Sequence, residues 1–267
     1  MVKSAGEERL LMGGAWLPVT TTVPFVEADA RACADALVTA QQQRIERGDD
    51  VRPVTTRVVH GSLPELLSVL LPLITAYPNR SVLIPTQTVD GQPWTAYINN
   101  GWGGTESASI MFFGARGWRA VSVSESPNSY DRSTNLGTWG QRKIEVVVPD
   151  GSQRDGFMPY SLGVRVTDSS RWEFIEPITG TPFPDPTDYG ARRVPDRFTH
   201  DHLVAAAGWF GLRPFDEDFY APDQWAILVE DPTPRDPKLR LWTLEQAQTG
   251  GRGVLWSHME NGRVVRL

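Results

Sequence analysis

Apolar and polar positions recur with two different periods along this chain, and the changes of period mark its elements. Over residues 27–47, Ala30, Cys33, Leu37 and Ile45 fall near one face at helical spacing. Acidic residues open that segment and Gly48 closes it, which predicts an amphipathic helix. Residues 15–25 and 54–59 are short, rich in Val and Thr, and read as strands, whereas residues 1–14 show no period and are expected to be frayed or extended. Ser62-Leu63-Pro64-Glu65 has the form of a capping box with proline in the first turn. The run after it, to residue 74, is apolar nearly all round and predicts a buried helix that Pro72 kinks or shortens. Residues 81–88 and 94–99 are strand-like and flank Val89-Asp90-Gly91. An Asp-Gly pair between apolar runs predicts a hairpin, because both turn residues tolerate positive φ. A glycine-rich loop at residues 99–104, a short helix at 105–115 capped by Thr105, and a strand at 118–124 follow.

Residues 125–140 are polar, rich in Ser, Asn and Gly, and without a period, so they are expected to form a linker or mobile loop. Strands are predicted at 143–148, 161–167 and 171–175, with turns at Pro149-Asp150-Gly151 and near 168–170. A proline-rich stretch at 176–186 leads to a helix at 199–212, where Thr199 is the cap and Leu203, Ala206, Ala207 and Phe210 share a face. An acidic loop at 214–222, an apolar strand at 225–229 and a hairpin around Asn261-Gly262 complete the chain. No repeat of 20–50 residues recurs. Strands joined by tight turns outnumber helices. The pattern therefore predicts an α+β fold, with antiparallel or mixed β-sheets built from hairpins and packed on one side with three or four α-helices. The division expected is an extension with an edge strand at 1–24, an α/β portion at 25–140 and an α+β portion at 141–267, the last two able to join in one compact domain.

Composition narrows the function. Apolar residues make up 40% of the chain and ten are tryptophan, enough to fill a core. The formal charge of −6 lacks the basic footprint of a phosphate-backbone binder, so no nucleic acid is expected as partner. Positive charge is almost all arginine, Lys3, Lys143 and Lys238 being the lysines. The longest apolar run is too short to span a bilayer, which predicts no membrane association. The N-terminal residues do not read as a signal peptide, and a cytoplasmic location is expected. Cys33, the one cysteine, rules out an intrachain disulfide and is expected to be buried and inert.

Few residues carry chemistry on their face. His200 and His202 are two apart at a helix start, so they do not share a face and predict no metal site. Ser62, beside His60, is accounted for as a helix cap. In the glycine loop, Asn100 and Trp102 are flanked by Gly101, Gly103 and Gly104. The backbone there would suit an anion or, alternatively, would let Trp102 turn into the core. Arg192, Arg193 and Arg197 cluster with Asp188 and Asp196 and would either clamp an anion or pair with Asp216, Glu217 and Asp218. No nucleotide-binding, zinc or hydrolase motif is present, and no cofactor is expected.

Two functional expectations follow. The first is an intracellular module that binds a protein partner, in the manner of an immunity or antitoxin-like protein, with Trp102, Trp209, Phe219 and Tyr220 as aromatic anchors. The second is an enzyme acting on a small polar or anionic substrate, with Asn100, the glycine loop, Arg192, Arg193 and His200 converging on one pocket. A structural subunit of a larger particle fits the same composition.

Overall fold

The computed structural model describes residues 9–49, 51–75, 78–88, 90–134, 137–149, 159–167, 170–177, 180–232 and 240–249, together with the backbone of 259–260 and 263–264. Its centre is a sheet of nine strands. In chain order these are β1 (Thr22–Val26), β2 (Thr55–His60), β4 (Arg80–Pro85), β5 (Thr95–Asn99), β6 (Ala120–Ser126), β7 (Gln141–Val147), β8 (Tyr160–Val166), β9 (Trp172–Ile175) and β10 (Trp225–Glu230). A short strand β3 (Leu73–Ile74) pairs outside this sheet with β11 (Leu241–Trp242). The spatial order is β2-β10-β4-β5-β1-β6-β7-β8-β9, and neighbours run antiparallel throughout. Local turns supply part of this order. β4 and β5 are joined through Asp90 and Gly91, both at positive φ, as the Asp-Gly signal requires. β10 instead inserts between β2 and β4 from far along the chain. At the C-terminal end, β12 (Met259–Glu260) and β13 (Arg263–Val264) form an antiparallel pair around the position of the Asn261-Gly262 signal, whose two residues lie outside those described.

Side chains alternate across the sheet, and each face has its own core. One face buries Phe25, Val82, Ile84, Ile98, Val121, Val123, Ile144 and Val146 beneath α2 (Leu63–Ser68) and α5 (His200–Gly208). The other buries Val26, Leu83, Ala120, Val147, Ile227 and Val229 beneath α1 (Ala30–Glu46) and α3 (Ser109–Gly114). Two further short helices, α4 (Val194–Arg197) and α6 (Leu244–Thr249), complete the set. The fold is α+β, but helices cover both faces rather than one. Both faces of the central strands are apolar, and each needs a cover to exclude water.

Local signals place most helix ends. Asp29 caps α1 by accepting from the Ala32 N–H at 2.8 Å. Ser62 and Glu65 form the reciprocal capping box on α2. Thr199 caps α5. Thr105 does not cap a helix. Its hydroxyl accepts from the Asn99 N–H at 3.0 Å and ties the glycine loop, and α3 begins four residues later. Of residues 125–140, Glu125 and Ser126 extend β6, and the described residues of the connection to β7 are cross-bonded, the Ser129 N–H donating to the Thr138 carbonyl at 2.8 Å and the Ser126 hydroxyl to the Trp139 carbonyl at 2.9 Å. The sheet passes through this position without a break, β6 pairing with β7 from Ala120↔Val147 to Ser126↔Gln141.

Candidate functional site

On the α1/α3 face, the apolar pattern stops at one end of β1, β6, β7 and β8. Along β6, Val121 and Val123 point to the opposite face, so Ser122, Ser124 and Ser126 point to this one. The pairing register sets them in rows. Thr22, Ser124, Lys143 and Gly163 lie side by side across four strands, and beside them run Pro24, Ser122, Glu145 and Ser161. Gly163 matters to the first row, because a Cβ there would fall on the Arg142 carbonyl oxygen and within 2.7 Å of the Lys143 Cα. The polar side chains of these rows bond to one another. The Lys143 ammonium lies 2.8 Å from Glu145 Oε2, and the two side chains are 18% and 11% exposed. The Ser161 hydroxyl donates to Glu145 Oε1 at 3.2 Å, and the Thr22 and Ser124 hydroxyls are 2.9 Å apart. The Ser122 hydroxyl is buried without a hydrogen-bond partner among the described residues.

The glycine loop roofs this patch. Gly101 donates its N–H to Asn99 Oδ1 at 3.0 Å, and Gly104 donates to the Gly101 carbonyl at 2.9 Å. Gly104 has φ +87°, and a Cβ there would meet the Pro18 carbonyl oxygen, so both backbone and space demand glycine. Between roof and sheet is a cavity of about 400 Å³, lined by Thr22, Ser124, Gln141 and Lys143 below and by Gly101 and Gly103–Ser107 above. Lys143 also reaches the Ser107 hydroxyl on the roof at 3.4 Å. The cavity thus presents hydroxyls, an amide and one ammonium, with the Glu106 carboxylate exposed on the roof.

A larger cavity of about 710 Å³ lies beside the start of α1, with Trp94, Trp225, Asp29 and Arg31 among its lining. Its buried polar side chains are already engaged. Thr95 donates to the Ala28 carbonyl at 2.7 Å, Thr86 to the Trp94 carbonyl at 3.1 Å, and Asp29 caps the helix. The smaller cavity is the stronger candidate because it sets the Lys143 ammonium beside hydroxyls brought from β1, β6 and the glycine-loop roof.

The residues singled out from sequence are not brought together. Asn100 is buried, and its carboxamide is spent on structure. It accepts from the N–H groups of Asn79 and Arg80 and donates to Pro72 O and Asn79 Oδ1. Trp102 is buried against Trp242, with ring centroids 5.6 Å apart. Phe219 and Tyr220 pack on Phe25 in the core, and the Tyr220 hydroxyl donates to the Pro214 carbonyl at 2.7 Å. Three of the four aromatic anchors therefore offer no surface to a partner, while Trp209, 61% exposed on α5, does. Arg193 pairs with Asp196 at 3.8 Å, and Arg197 donates to the Ala191 carbonyl at 3.4 Å. Asp216 and Asp218 are bound by Arg213 instead, each at 3.3 Å, because that side chain lies within reach in the same loop. Arg192 is exposed.

His200 takes part in a separate cluster. Its Nδ1 lies 2.7 Å from Glu125 Oε2, and its ring packs 4.7 Å from that of Phe215. Arg142, opposite Glu125 in the sheet, donates to the Phe198 and Pro195 carbonyls, and burial pushes its guanidinium below the usual arginine range. Glu125 and Arg142 alternate with Ser124 and Lys143, so this cluster occupies the sheet face opposite the cavity. Of the residues expected to converge, the glycines alone line the cavity; Asn100, Arg192, Arg193 and His200 do not.

The chain matches no family model, no curated protein and no solved structure. Among the described residues, no three His, Cys, Asp or Glu side chains are placed to hold a metal ion, and no helix is long and apolar enough to cross a membrane.

Thr22, Ser124, Lys143 and Glu145 were not marked by the sequence pattern. The available signal was weak: serines alternating with valines in β6, and opposite charges two apart in β7, which places both on one strand face.

Proposed function

We propose that this protein binds a small polar ligand in the cavity between the glycine loop and strands β1, β6 and β7. One observation carries this reading: on the face where β6 and β7 bury Ala120 and Val147 at one end, the sheet positions that line the cavity at the other are Thr22, Ser124, Gln141 and Lys143. Folding alone does not favour such a patch. A buried Lys–Glu pair is often no more stabilising than apolar residues of the same volume. The lining offers hydroxyls, an amide and an ion-paired ammonium as hydrogen-bonding groups, so the reading is of binding more than of catalysis.

The test is an amide chemical-shift titration with separate pools of carboxylates, phosphates, sugars and amino acids. Shifts confined to Thr22, Gly103, Gly104, Ser124 and Lys143 would support the site. Shifts centred on Trp94 and Trp225 would move the function to the larger cavity.

A second reading, a protein partner, is favoured by α5. Its outward face carries Val204, Ala205, Gly208 and Trp209, an exposed apolar surface. A pull-down that loses its stoichiometric partner with Trp209→Ala supports this reading, and one unaffected by that substitution removes α5 from it.

A further inference from the structure

Resting on the cavity reading above, the geometry points to a free α-amino acid with a small side chain as the ligand, its carboxylate held at Lys143 and its ammonium at Glu106. Lys143 has three N–H donors. The ammonium is ion-paired with Glu145 Oε2 at 2.8 Å without the alignment of a hydrogen bond, one donor faces the Ser107 hydroxyl at 3.4 Å, and no further partner of the ammonium occurs among the described residues. A carboxylate in the cavity would take a donor of the ammonium together with the one O–H that the bonded Thr22–Ser124 hydroxyl pair leaves free.

A dianionic phosphate ester fits less well. Lys143 is offset by Glu145 behind it, and Glu106 adds a further negative charge at the opening, so the surroundings are formally −1. A simple amine would meet Lys143. A sugar would lack a platform, because no aromatic side chain among the described residues lines this cavity. A zwitterion satisfies both signs at once, with the anion inward at the half-buried ammonium and the cation outward at the exposed carboxylate. The cavity of about 400 Å³ admits a small amino acid with room for bridging water.

The experiment is isothermal titration of the full chain with each standard α-amino acid, followed by the N-acetyl derivative and the amide of whichever binds. Binding should weaken at least about tenfold when either end of the ligand is blocked. It should weaken similarly in Glu106→Gln, an exposed position where folding is not at issue, and in Lys143→Met/Glu145→Gln, which avoids leaving one buried charge alone. If the N-acetyl derivative or a simple carboxylate binds as tightly as the amino acid, and only the Lys143 variant weakens it, the zwitterion assignment is overturned while the cavity reading stands. If an amino acid binds with equal affinity to the wild type and to both variants, both readings fall. The absence of heat from any amino acid at millimolar concentration overturns the assignment, and the shift titration described above then decides whether the cavity takes a different ligand.

Discussion

Cys33 sits on the buried face of α1 with no exposed surface, and burial pushes its thiol up to about 12. At pH 8 it holds almost no thiolate, so Ellman's reagent should leave it untouched in the folded protein and titrate one thiol in denaturant. The tryptophans divide by the same logic. Trp102→Ala should cost about 3–5 kcal/mol in urea unfolding, since it empties a space filled against Trp242. Trp209→Ala should change stability by no more than about 0.5 kcal/mol, since that ring lies in solvent. An aromatic residue in a sequence announces contact area without saying on which side of the surface it lies. Trp102, Trp209, Phe219 and Tyr220 were indistinguishable as anchors until their neighbours were known.

Elements carry more of their own instructions. Asp29, Ser62 and Thr199 each precede the helix they cap, and the Asp-Gly turn stands between the strands it joins. Thr199→Ala should destabilise the protein by about 1 kcal/mol in chemical denaturation. The capping box on α2 adds a pH dependence. The Ser62 hydroxyl and N–H hold the Glu65 carboxyl below the usual glutamate range. Its contribution is therefore present above the unfolded-state value and lost as pH falls through the lower folded-state value. The stability difference between wild type and Glu65→Gln should shrink on acidification, measured by thermal unfolding from neutral pH downwards. Thr105 shows where local reading ends. It reads as a cap in sequence, but α3 begins four residues later and its hydroxyl accepts from the Asn99 N–H instead.

Across the whole molecule, the two polar rows test whether the cavity serves stability or ligand. Lys143→Met alone leaves Glu145 buried without its cation and should cost about 3–5 kcal/mol. Lys143→Met/Glu145→Leu removes both charges and should recover most of that loss in urea unfolding. Loss of ligand binding in that recovered double variant would separate the two roles. The fold makes the comparison informative because β6 and β7 lie inside the nine-stranded sheet, paired on both edges, and tolerate side-chain exchange without losing register.

The sequence by itself determined the class of the fold, the hairpin at Asp90-Gly91 and the caps of α2 and α5. Each of these depends on near neighbours: a capping oxygen reaches three residues along, and a hairpin turn needs two residues at positive φ. Only the tertiary structure decided that helices cover both faces of the sheet, that β10 enters between β2 and β4, and that Asn100 is spent inside the glycine loop. It also decided the candidate site. Thr22 meets Ser124 from 102 residues away, and Lys143 meets Ser107 from 36. Strand register sets the first meeting and the placement of the glycine-loop roof sets the second, and both belong to the assembled sheet as a whole rather than to any strand within it.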